Sequence, residues 1–179
     1  MMMLSERQRT RSVLLVGYGN PSRCDDGVAE HILRRLLGKL GLDGAPLEEE
    51  IVAQAEGLGM VCLHQLAPEL AETVAEYDVV VFIDAHVEGV PWDDLSLQRV
   101  EPVVEPGMLG HHLKAGVILA LCETLYDSRP EAYLLSVLGH DFDFGDKLSA
   151  ETSRLADEAV ERLIGLLEAN AMATNEEES

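Results

Sequence analysis

The stretch "DVVVFIDA", Asp78–Ala85, limits the fold more than any other part of the chain. Its apolar run is continuous, without the alternation of a strand that has one wet face. Such a run fits a strand covered on both faces, and strands of that kind belong to parallel sheets flanked by helices. "SVLLVGYGN" (Ser12–Asn20) reads as a second buried strand running into a glycine turn. From Gly27 the pattern turns helical, with Val28, Ile32, Leu36 and Leu40 recurring at four-residue spacing.

The rest of the chain alternates in the same way. Glu49–Glu56 is a weaker strand candidate, Ala67–Tyr77 a helix with Pro68 in its first turn, and Leu95–Pro102 a strand at an edge. A helix spans about His112 to Tyr126, and Glu131–Gly139 is another strand. The last helix starts after Ser149, a good N-cap, with Glu151 near the positive end of the helix dipole. Leu155, Ala159, Leu163 and Leu167 mark its buried stripe. Strands alternating with helices predict a three-layer α/β/α fold. Its sheet is expected to be twisted, of about five strands, mostly parallel and mixed if an edge strand runs antiparallel.

At 179 residues and 47% hydrophobic composition, one compact domain is expected, over 12–170. Residues 1–11 read as a disordered N-terminal tail and 171–179 as an acidic C-terminal tail. With 33 acidic against 13 basic residues, the net charge of −20 repels phosphate backbones and anionic lipid. Nucleic-acid and membrane-surface partners are therefore not expected. Three cysteines without a CxxC pair argue against a disulfide framework and a thiolate zinc site. The basic N-terminus lacks an apolar signal-peptide core, so the chain reads as cytoplasmic. A monomer is expected.

Ligands of open α/β sheets gather outside the carboxyl ends of the parallel strands. Two features fall there: Asp25 and Asp26 in the "RCDDG" loop, and Asp84 at the end of "VVVFIDA". If the two strands are neighbours, Asp84 and one of the paired aspartates share a cleft. Each has an ordinary reading as well, Asp26 as a helix N-cap and Asp84 as an Asx-turn residue. Two adjacent carboxylates repel each other, however, and a cation relieves that repulsion. A dinucleotide loop is disfavoured: "GYGNPS" has Ser22 where the third glycine belongs, and Pro21 removes a phosphate-binding N–H. Of the six histidines, His111 and His112 open a helix at the ligand edge, whereas His86, two residues beyond Asp84, is expected to point elsewhere if the strand continues. Two carboxylates and one imidazole suit a borderline divalent cation such as Ni²⁺ or Zn²⁺.

The segments "GYGNPSRCDDGVAEHIL", "HQLAPELAETVAEYDVVVFIDAHVEG", "GHHLKAGVILALCETLY" and "FDFGDKLSAET" occur in that order. Together they resemble the [NiFe]-hydrogenase maturation endopeptidases over roughly Val13 to Leu167. The "HQLAPELAE" segment looks most like the branch that serves cytoplasmic, cofactor-reducing hydrogenases. The resemblance implies an enzyme that removes a C-terminal extension from a hydrogenase large-subunit precursor after nickel insertion. It implies Asp26, Asp84 and His111 as ligands, with His112 one register away, and Asp26 and Asp84 as the catalytic pair. Asn20 and His112 are expected to meet the substrate, and Asp25 to shape the loop, cap the helix through its side chain, or meet the substrate. Nickel is expected to arrive with the substrate, without a tightly bound resident metal. The attacking water is activated either by the metal or by a carboxylate. A chaperone that senses nickel without cutting would use the same ligands.

Overall fold

The computed structural model describes residues 11–42, 47, 52–55, 57–104 and 113–176. Its six strands are β1 (Val13–Tyr18), β2 (Val52–Ala55), β3 (Leu58–Leu63), β4 (Val79–His86), β5 (Leu95–Arg99) and β6 (Glu131–Leu138). The helices are α1 (Val28–Lys39), α2 (Leu70–Val74), α3 (Ala115–Tyr126) and α4 (Ala150–Glu176). One sheet holds all six strands in the order β2-β3-β1-β4-β6-β5. The central four are parallel, while β2 and β5 run antiparallel at the two edges. The three-layer, mostly parallel, mixed architecture is as expected, with six strands where about five were read.

Strand β3 accounts for the difference. "LGMVCL" is short and carries a glycine at its second position, so it lacks the unbroken apolar run of β4. It nevertheless pairs along the whole of β1, from Val13↔Leu58 to Tyr18↔Leu63.

The unbroken run of β4 is divided between two cores by the two-residue period of a strand. Val79, Val81 and Ile83 face one core with Val28, Ile32, Leu33 and Leu36 of α1 and Ala156, Ala159 and Leu163 of α4. Val80 and Phe82 face the other with Leu70 and Val74 of α2 and Ile118, Leu119 and Cys122 of α3. The stripe of α1 stops before Leu40, which is 39% exposed. Helices α1 and α4 pack side by side and are joined across their exposed faces by Arg35–Asp157 at 2.9 Å and by Lys39–Glu161.

At the ends of the chain, Arg11 is tethered to Glu131 at 2.6 Å, and α4 extends to Glu176. The first residues of the segment read as an acidic tail are therefore helical. No described helix is long and apolar enough to cross a membrane.

Candidate active site

Parallel pairing brings the carboxyl ends of β1 and β4 to the same edge of the sheet, with Gly17 opposite Ile83. The neighbour relation on which a shared cleft depended is present. Beyond β1 the chain bends sharply. Gly19 has φ +138°, and a Cβ there would lie 2.0 Å from the Asp26 carbonyl oxygen, so only glycine fits. Gly17 stays in the strand. A side chain there would meet Leu33 of α1 at 2.9 Å, so this glycine serves the close approach of helix to sheet.

The loop is built from local bonds. Asn20 Oδ1 accepts the Ser22 N–H at 3.0 Å, an Asx turn, and the Arg23 N–H reaches the Asn20 carbonyl at 3.0 Å. Asn20, expected to touch substrate, thus has its carbonyl oxygen engaged within the loop. A 3-10 turn over Cys24–Gly27 follows. With three residues per turn, successive side chains point about 120° apart. Asp25 and Asp26 therefore diverge, and their charges do not face one ligand.

Asp25 points inward and is fully buried. Its carboxylate accepts five hydrogen bonds: from the N–H of His140 (2.8 Å), Asp141 (2.9 Å) and Ser149 (2.7 Å), and from the hydroxyls of Ser149 (2.7 Å) and Thr152 (2.8 Å). Burial alone would raise its pKa. The bonds from the Ser149 side chain and from the three backbone N–H groups outweigh burial and bring the pKa down to about 2. Of the roles expected for Asp25, the geometry corrects contact with substrate, because its oxygens are filled from inside the protein; the carboxylate shapes the loop. Ser149 holds both ends of the arrangement. Its hydroxyl donates to Asp25 and its oxygen accepts the Thr152 N–H at 3.2 Å, the N-cap bond of α4. Three further bonds attach the loop to the same segment: Cys24 N–H to the Gly145 carbonyl (2.9 Å), Asp25 N–H to Asp141 (2.9 Å) and Gly145 N–H to Ser22 (3.0 Å).

Asp26 is half-buried and turns outward, with one carboxylate oxygen accepting the Asn20 N–H at 2.9 Å. Asp84, also half-buried, stands near the end of β4, where its Oδ1 accepts the Ala85 N–H at 2.8 Å. The Tyr18 side chain lies beside the same carboxylate. Burial pushes the Asp84 pKa up to about 6; the neighbouring Tyr18 hydroxyl and the bond from Ala85 oppose the rise, and the charge of Asp26 adds to it. Burial and the neighbouring Asp84 charge likewise raise the pKa of Tyr18, so its hydroxyl keeps its proton.

His86 does not point away, as expected, because residues two apart on a strand share a face. The strand continues through His86, which lies on the Asp84 side of the sheet. Its Nδ1 is 2.8 Å from the hydroxyl of Ser136, the residue opposite Asp84 on β6. Trp92 meets the imidazole edge-on at 5.4 Å. Burial lowers the His86 pKa, against the pull of Asp94. His111 and His112 lie outside the described residues. Among the described residues, no group of three or more His, Cys, Asp or Glu side chains is placed to hold a metal ion. An open groove lined by Trp92, His140, Glu151, Arg154 and Arg162 runs along α4 and includes neither Asp26 nor Asp84.

Among solved structures, the [NiFe] hydrogenase maturation protease HycI from Thermococcus kodakarensis superposes with a TM-score of 0.63 at 17% identity, covering 88% of this chain and 93% of that one. The hydrogenase maturating endopeptidase HybD from E. coli gives a TM-score of 0.61 at 17% identity, with coverage of 88% and 93%. The [NiFe] hydrogenase maturation protease HybD from T. kodakarensis gives 0.58 at 21% identity, covering 87% and 99%. The chain shares the fold of these proteases. Similarity at such identity is similarity of fold. No protein-family model and no curated protein sequence matches the chain.

Proposed function

We propose that the chain is a hydrogenase maturation endopeptidase that removes the C-terminal extension of a [NiFe]-hydrogenase large-subunit precursor after nickel insertion. The observation that carries this reading is the pair Asp26 and Asp84: two outward-facing carboxylates brought to one sheet edge, close enough for the charge of one to act on the other. The shared fold and the order of the sequence motifs support it. The reaction is hydrolysis of one peptide bond. Water adds to the scissile carbonyl carbon, the C–N bond breaks, and the departing nitrogen takes up a proton. A carboxyl group with a pKa of about 6, as at Asp84, exchanges protons close to neutral pH, the property a general base requires. Nickel is treated as cargo of the substrate. Asp26 and Asp84, with a histidine at 111 or 112, would meet it in the docked precursor and fix the scissile bond beside the carboxylates. The site of action would be the cytoplasm, and the protein would act as a monomer.

The test is the intact mass of a large-subunit precursor incubated with this protein, with and without nickel loaded. Loss of one C-terminal peptide from the nickel-loaded sample alone is the expected result. A stable complex with unchanged mass would replace the protease by a nickel-sensing chaperone.

A further inference from the structure

Strands β1 and β4 are parallel neighbours, and their register places Gly17 beside Ile83. One step further, Tyr18 comes beside Asp84. Both residues fall on the α2/α3 side of the sheet, in phase with Val16 and Phe82. The Tyr18 ring packs against that core, and the strand ends directly after it at Gly19. The ring is thus held by apolar contacts, with its hydroxyl near the Asp84 carboxylate. We propose that Tyr18 is a positioning residue for Asp84, its hydroxyl holding the carboxylate in the one rotamer that faces Asp26 across the cleft.

A carboxylate at a strand end has two torsions to fix, and a single donor leaves one of them loose. Ala85 supplies the first donor, on Oδ1, from Asp84's own strand. The Tyr18 hydroxyl, beside it on the neighbouring strand, would supply the second. Two donors from two strands would fix the plane of the carboxylate. Partners that orient a functional carboxylate in this way are typically worth about 10- to 100-fold in activity or ligand affinity. The inference rests on the proposed protease reading, because the positioning matters only if Asp84 acts on a substrate.

Tyr18→Phe keeps the ring and removes the donor. In the nickel-loaded precursor assay, its kcat is expected to fall about 10-fold or more with KM unchanged and the melting temperature close to wild type. A second reading is independent of activity. The Asp84 carboxyl ¹³C resonance, assigned by its disappearance in Asp84→Asn, is expected to shift in Tyr18→Phe, while that of Asp25 stays in place. Wild-type kcat together with an unmoved Asp84 resonance would overturn the proposal. If the resonance moves but wild-type protein cleaves no precursor, the protease reading fails while the Tyr18–Asp84 contact stands.

Discussion

Asp25 and Asp84 are both withdrawn from water at the same edge of the sheet, and their chemistry is opposite. The Asp25 pKa falls to about 2 and that of Asp84 rises to about 6, from a common reference of 3.8. Burial pushes both pKa values upward. What differs is the supply of donors. Asp25 takes five hydrogen bonds from the segment that opens α4, whereas Asp84 takes one from Ala85, stands beside the Tyr18 hydroxyl and also faces the charge of Asp26. The first arrangement binds the molecule together. The second leaves an ionised carboxylate under-compensated, as is common where a protein keeps a group for chemistry at some cost in stability.

The sharpest way to break this comparison is to remove the Asp25 carboxylate. Asp25→Ala leaves five donors facing a gap and is expected to cost about 4 kcal/mol of stability, read by urea unfolding. A loss below about 1 kcal/mol would mean that the α4 segment holds itself in place without Asp25.

Acid titration comes next. The depressed pKa of Asp25 contributes stability that is present above 3.8 and lost as pH falls through about 2. That contribution is about 2 kcal/mol. Asp84 works in the other sense. Its penalty is complete above about 6 and absent below 3.8, so folding gains from Asp84 as pH drops across that window. The expected signature is a difference between variants: Asp25→Asn flattens the loss between pH 4 and 2, and Asp84→Asn flattens the gain between pH 6 and 4.

A smaller effect has the sign that matters most to the comparison. At pH 7, Asp84→Asn is expected to stabilise the fold by about 1 kcal/mol, after discounting the shift for the solvent that reaches a half-buried group. The advantage disappears at pH 4. The smallest effect concerns the outside of the same loop. Exposed Arg23 donates to the Phe142 carbonyl at 3.0 and 3.1 Å, and Arg23→Ala is expected to change stability by about 0.5 kcal/mol or less. A larger loss would shift weight from the buried carboxylate to the surface contact.

How far these roles can be read from sequence depends on how local their causes are. Asp84 is legible because a continuous apolar run that ends in an aspartate puts that residue at the sheet edge whatever the topology. Ser149 is legible as an N-cap for a similar reason. The division of labour between Asp25 and Asp26 is not. It is decided by the 3-10 turn that separates the two side chains and by a segment more than a hundred residues further on, from which every donor to Asp25 comes. Tyr18 escapes notice because its role appears only when β1 and β4 are known to be neighbours in register. His86 was misassigned for a simpler reason, since the two-residue period of a strand already places it on the face of Asp84. Strand β3 lacks the apolar continuity that marks β4, and its place is set by pairing with β1.

The central claim is that the outward carboxylates do the chemistry and the inward one holds the structure. It is tested most directly by intact-mass analysis of nickel-loaded precursor with wild type, Asp26→Asn and Asp84→Asn, each at the same concentration of folded protein. The account predicts loss of one C-terminal peptide with wild type and none with either variant, even though Asp84→Asn is the more stable protein. Full processing by a folded Asp26→Asn or Asp84→Asn protein would contradict it.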